Sequence, residues 1–269
     1  DAAADDGGLV GVAARPAVIV ALLTPFDAEG RPDLGALAAH VEFLVAAGVD
    51  ALMPCGTTGE GPLLSDAELD SVVEATVRSA GGRLRVLAHI GRPSTQATVR
   101  AGRAALAGGA NAISAVVPYY YAYGDAQIVA HYRALLDACR GEQVYAYTIP
   151  ARTGNELSAD ALRSLAAEGL HGVKDSTKSF DRLLEYLACG VDVLVGTDGF
   201  VRDGFAAGAA GCVSALANVR PELFCALRDG EDVQEEILKL RSTLPLRRLK
   251  GAVGELVAGY PEDYRAPLP

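Results

Sequence analysis

Eight short apolar segments punctuate this chain, each followed by a stretch of helical periodicity, and that alternation limits the folds open to it. The segments are residues 18–24, 50–54, 84–90, 112–117, 143–149, 169–174, 192–195 and 211–215. They are rich in Val, Ile, Leu and Ala and have no polar face. Strands that are apolar on both faces belong in a parallel sheet covered on both sides. Between them, residues 33–48 repeat apolar side chains at Leu34, Leu37, Val41, Leu44 and Val45, and residues 66–80 do so at Leu69, Val72, Val73 and Val77. Ser65 and Glu68 have capping-box spacing before the second of these helices, and Gly81-Gly82 stops it. Tyr132, Leu135 and Leu136 mark a further helix, followed by Gly141. Eight such units predict an α/β fold, a (β/α)8 TIM barrel, in preference to an open doubly wound sheet.

The organisation expected is a flexible leader over 1–16, the barrel over 17–220, and a small C-terminal helical appendage over 221–269, with helices near 233–244 and 246–258. The leader lacks the basic and apolar regions of a signal peptide, and no apolar run is long enough to cross a bilayer. Half the residues are apolar, and the formal net charge is −10. That balance argues against a nucleic-acid partner, because no basic stripe is present to neutralise phosphates. The cysteines, 55, 139, 189, 212 and 225, are odd in number and form no C-x-x-C pair. They read as free thiols in a reducing cytoplasm. The histidines at 40, 89, 131 and 171 have no metal-ligand spacing; each is expected to be a satisfied structural histidine, and no metal site is expected.

In a barrel of this kind, chemistry sits at the C-terminal ends of the strands. Strand two ends in Gly56-Thr57-Thr58-Gly59-Glu60, strand four in Pro118-Tyr119-Tyr120-Tyr121, strand five in Tyr147-Thr148-Ile149-Pro150 with Arg152 just beyond, and strand six in Lys174. Burial makes an ammonium costly, so a strand-end lysine either has a partner or becomes a usable amine nucleophile. Its bland alternatives are snorkelling to solvent and pairing with Asp175. For residues 56–59 the bland alternative is a tight turn, and for the tyrosines an interface cluster. Hydroxyls, one guanidinium and one amine together are what imine chemistry on a 2-oxo acid requires, with phenol and hydroxyl groups moving protons. A rival reading places a phosphate at the loops 196–199 and 208–211, as in a phosphosugar isomerase.

G-T-T-G-E, P-Y-Y, Y-x-I-P-x-R-T-G and G-x-K-D-S in this order resemble the dihydrodipicolinate synthase / N-acetylneuraminate lyase family of class I aldolases. The likeness runs from Leu23-Thr24-Pro25-Phe26 to Arg265-Ala266-Pro267-Leu268. It implies that Lys174 forms a Schiff base with pyruvate, with no other cofactor, and that Tyr147 shuttles the protons. Thr57 would relay protons, and Thr58 and Gly56 would help hold the carboxylate of pyruvate. Val213 would lie against the bound pyruvate, and Arg152 would hold the carboxylate of the second substrate. Tyr120 would enter a neighbour's site, implying a dimer and a homotetramer. Three features depart from the family pattern: Thr148 replaces an Asn, Gly196-Thr197-Asp198-Gly199 replaces Gly-Asp-Asp, and the C-terminal helices are short. Asp66, Leu69 and Pro93 stand where lysine-inhibited synthases have other residues, so feedback through that site is not expected. The activity implied is condensation of pyruvate with aspartate semialdehyde to 4-hydroxy-tetrahydrodipicolinate. The alternatives are a retro-aldolase or dehydratase of a 2-keto-3-deoxy sugar acid or 4-hydroxy-2-oxoglutarate, and a non-catalytic 2-oxo acid binding protein.

Overall fold

The computed structural model describes residues 15–268. Eight parallel strands close into a barrel in chain order: β1 Ala17–Ala21, β2 Ala51–Met53, β3 Arg85–His89, β4 Ala112–Val116, β5 Val144–Thr148, β6 Gly172–Asp175, β7 Asp192–Val195 and β8 Gly211–Ser214. β8 pairs back onto β1, with Val20 opposite Ser214. The (β/α)8 expectation therefore holds. Most strands are shorter than the apolar segments that predicted them, because residues at the ends of those segments lie outside the ladder.

Local chemistry sets the helix ends. Leu34–Ala46 starts at Asp33, whose side chain accepts from the N–H groups of Gly35 and Ala36. Asp66–Ala80 carries the capping box predicted at Ser65 and Glu68, and it ends on Gly81 in the left-handed conformation. Buried Leu37, Val41 and Leu44 of the first helix, with Leu69, Val72 and Val73 of the second, join the core around the strands.

Beyond β8 the helix Pro221–Arg228 packs on β1 and completes the helical ring, with Phe224 fully buried. Gln234–Thr243 follows, within the predicted 233–244. The helix expected over 246–258 is shorter: a 3-10 turn Leu246–Arg248 and then Leu249–Gly254. Gly251 and Gly254 weaken helical propensity there. Residues 1–14 of the predicted leader lie outside the described residues, while Arg15 pairs with Asp50 and Asp229. Among the described residues no helix is long and apolar enough to cross a membrane, and the five cysteines are free thiols.

Candidate active site

β5 and β6 pair so that Tyr147 lies opposite Lys174 and Thr148 opposite Asp175. Side chains alternate along a strand, so the first pair faces one side of the sheet and the second pair the other. Lys174 Nζ stands 4.2 Å from the centre of the Tyr147 ring. Asp175 instead accepts from the Thr177 N–H at 2.8 Å, and the Thr148 hydroxyl is approached by the Leu157 N–H at 3.4 Å. Lys174 is 5 % exposed. It neither reaches solvent nor pairs with Asp175, so both bland readings fail. Among the described residues its one hydrogen bond goes to Met53 Sδ at 3.6 Å, a weak acceptor.

The loop after β2 folds back sharply. A Cβ on Gly61 would lie 1.7 Å from the Cys55 carbonyl oxygen, and one on Gly59 would lie 2.7 Å from the Leu22 carbonyl oxygen. Only glycine fits at these two positions. Glu60 between them takes φ +56°, and its carboxylate turns inward to meet Lys250 Nζ at 2.6 Å and the Arg265 N–H at 2.8 Å. On the other side of the loop, the Thr57 hydroxyl lies 3.5 Å from the Tyr147 hydroxyl. Such long contacts commonly tighten when a reactant binds.

A cavity of about 200 Å3 opens over Lys174. Of the residues singled out in the sequence, Lys174, Tyr147, Thr57, Thr58, Arg152 and Val213 line it. Arg152, on the short helix Pro150–Thr153, is exposed, and among the described residues no carboxylate pairs with it. Gly56 is buried in the loop and does not reach the cavity wall. Tyr120 stands apart. It is 83 % exposed at φ +83°, edge-on to Tyr121, beside a groove of about 690 Å3 that it shares with Tyr119 and Tyr123. Of the two loops proposed for a phosphate, residues 196–198 line the Lys174 cavity but none of residues 208–211 does.

Several contributors had no role assigned to them from the sequence, although Asp198 stood out there as part of the 196–199 departure. Asp198 lines the cavity and is buried, accepting from the Ser214 hydroxyl at 2.7 Å and from Arg241 at 2.9 Å. Burial pushes its carboxyl above the usual range, and both donors oppose that rise. Arg241 and Leu246, from the C-terminal helices, complete the wall. His89 corrects the reading of every histidine as satisfied. His40 and His131 each bond one ring nitrogen, to the Asn218 carbonyl at 3.1 Å and the Thr95 hydroxyl at 2.9 Å. Their other ring nitrogens are buried without a partner, as is His89 Nδ1, but His89 makes no hydrogen bond at either nitrogen among the described residues. The rule that exposed the other strand ends applies equally to His89 at the end of β3. At the positions where lysine feedback is not expected, Asp66 is held by Arg92 and Arg100, and Leu69 is buried. Among the described residues no cluster of three or more His, Cys, Asp or Glu could hold a metal ion.

A sequence profile of the dihydrodipicolinate synthetase family matches residues 15–244. An uncharacterized DapA-like lyase of Halobacterium salinarum is 40 % identical over 222 residues, covering 80 % of this chain and 71 % of that protein. The 4-hydroxy-tetrahydrodipicolinate synthase of Rhizobium meliloti is 40 % identical over 213 residues, covering 77 % and 72 %. The crystal structure of dihydrodipicolinate synthase from Aquifex aeolicus superposes with a TM-score of 0.85 at 32 % identity, covering 94 % of this chain and 92 % of the other.

Proposed function

The chain belongs to the dihydrodipicolinate synthetase family and is a class I pyruvate-dependent lyase; from that premise we propose that Lys174 is its imine-forming amine and that it condenses pyruvate with aspartate semialdehyde. One observation carries this reading. Among the described residues, a buried lysine nitrogen with no salt bridge, a phenol and a threonine hydroxyl converge on a cavity whose rim holds a guanidinium with no carboxylate partner.

In this reading Lys174 Nζ attacks the ketone carbon of pyruvate. The carbinolamine loses water as Tyr147 delivers a proton to the leaving hydroxyl, with Thr57 relaying protons to the phenol. Thr58 and backbone N–H groups near Gly56 hold the pyruvate carboxylate, and Val213 packs against it. The protonated imine withdraws electrons, so loss of a methyl proton gives an enamine that adds to the aldehyde carbon. The Arg152 fork orients the aldehyde through its carboxylate. Tyr120, exposed and strained outside its own site, enters the site of a second copy, so the working enzyme is a homo-oligomer. Five free thiols fit a reducing cytoplasm.

Asp198 supports a second reading. It places an acidic group on the Lys174 cavity, where it can face substrate hydroxyls, as a retro-aldolase or dehydratase of a 2-keto-3-deoxy sugar acid or 4-hydroxy-2-oxoglutarate needs. Coupled assays of pyruvate with aspartate semialdehyde, D-glyceraldehyde and glyoxylate separate the two. We expect kcat/KM to favour aspartate semialdehyde by at least about tenfold. A preference for either other aldehyde would transfer the assignment to the second reading.

A further inference from the structure

Beside the Lys174 cavity the barrel mouth holds a second compartment of about 310 Å3. The two share Thr57, Ile149 and Arg152 in their walls. His89 lines the second compartment and is absent from the wall of the first. It is 5 % exposed, and its ring stands edge-on to that of Tyr147 with centroids 5.7 Å apart. Gly91 leaves the ring its space: a Cβ there would lie 2.7 Å from the Val116 nitrogen and 3.1 Å from His89 Nε2.

His89 makes no hydrogen bond among the described residues, and its Nδ1 is sealed from solvent. Nδ1 therefore carries the cost of an unpartnered buried polar group, about 1–3 kcal/mol, while Nε2 is not sealed and is the ring atom that a reactant in the compartment can meet. Burial, reinforced by Lys174 and Arg92, pulls the His89 pKa down to about 3. The ring is therefore uncharged at neutral pH and presents one donor and one acceptor nitrogen. Such a ring is a poor rival to Arg152 for a carboxylate and a good match for a neutral oxygen.

We propose that His89 is a specificity-determining residue that hydrogen-bonds a hydroxyl or carbonyl oxygen of the aldehyde reactant as it lies beside the Lys174 imine. This inference rests on the proposed function and deepens it. Arg152 and His89 then grip the aldehyde at two points, one ionic and one neutral. Because His89 is outside the Lys174 cavity, its bond acts on the second reactant and leaves imine formation alone.

Two variants test this. His89→Phe keeps a ring and removes the hydrogen bond, and His89→Gln keeps a donor and an acceptor. The probes are aspartate semialdehyde and D-glyceraldehyde, with pyruvate trapped by borohydride in parallel. His89→Phe is expected to lower kcat/KM for the better aldehyde about 10–100-fold, His89→Gln to restore much of that loss, and all three proteins to trap pyruvate equally. The inference is overturned if His89→Phe stays within about twofold of wild type for both aldehydes. It is also overturned if both variants lose trapping and turnover together, which would make His89 a packing residue. Wild-type protein that traps no pyruvate would instead remove the reading on which the inference depends.

Discussion

Lys174 at the barrel mouth and Lys250 beneath the C-terminal segment are both buried, yet their surroundings differ in kind. Lys250 is fully buried, ion-paired to Glu60 at 2.6 Å, bonded to the Asp263 carbonyl at 2.8 Å, and placed over the rings of Phe26 and Tyr264. Two oxygen acceptors and two ring faces surround its charge. Burial pulls its pKa down while Glu60 pushes it back up. Lys174 meets one thioether, one aromatic ring and an open cavity, with Asp198 on the same wall but in no salt bridge with it. A lysine held as Lys250 is held is a structural fixture, whereas Lys174 turns its nitrogen to a cavity with no salt bridge among the described residues. Burial alone does not distinguish them; the partners do.

This contrast can be broken most visibly at Lys174. Lys174→Ala is expected to lower turnover by about 10⁴-fold or more, as loss of a covalent nucleophile does, while the thermal unfolding midpoint stays within a few degrees of wild type. Steady-state rates with differential scanning fluorimetry check both halves; an active variant would end the imine account. Tyr147→Phe is expected to slow turnover by about 10²–10⁴-fold, with the KM for pyruvate changed far less. Near-normal rates in that variant would remove Tyr147 from the proton path.

At Lys250 the expected loss is in folding. Lys250→Met strands the Glu60 carboxylate in the interior and is expected to cost about 3–5 kcal/mol in urea unfolding. Adding Glu60→Gln should recover a large part of that cost, whereas Lys174→Met should shift stability by about 1 kcal/mol or less. Equal losses at the two lysines would erase the distinction. A smaller loss than at Lys250 is expected at the clamp beside it, where Arg265 holds Glu68 through two nitrogens and its planar group lies over Phe26. That bond holds the Glu68 carboxyl down to about 2, from 4.5. The unfolded chain therefore binds the proton first, so the clamp's contribution is complete above pH 4.5 and fades as pH falls toward 2. Arg265→Gln should cost about 1–2 kcal/mol at neutral pH, and the gap from wild type should close in acid. A gap that does not change with pH would assign the loss to packing.

How legible each lysine was follows from the range of its interactions. Lys174 and Tyr147 could be read because a strand end is a local signal and adjacent strands bring local signals together. The capped helix Asp66–Ala80 and the strand β7 were read at their observed bounds for the same reason. Nothing local at Glu60 announces Lys250, since the pair joins a β2 loop to a helix beyond the barrel. Arg241 was hidden likewise: its helix looked like an appendage, and only the closed barrel brings it over the Lys174 cavity. The unpartnered nitrogen of His89 is a property of its neighbours, which no spacing rule records.

The most direct test is to incubate the protein with pyruvate, reduce with borohydride, and locate the added mass by peptide mass spectrometry. The account predicts one pyruvate-derived adduct, on Lys174, and none on Lys250 or in Lys174→Ala. An adduct on another residue, or no adduct at saturating pyruvate in folded wild-type protein, would contradict it.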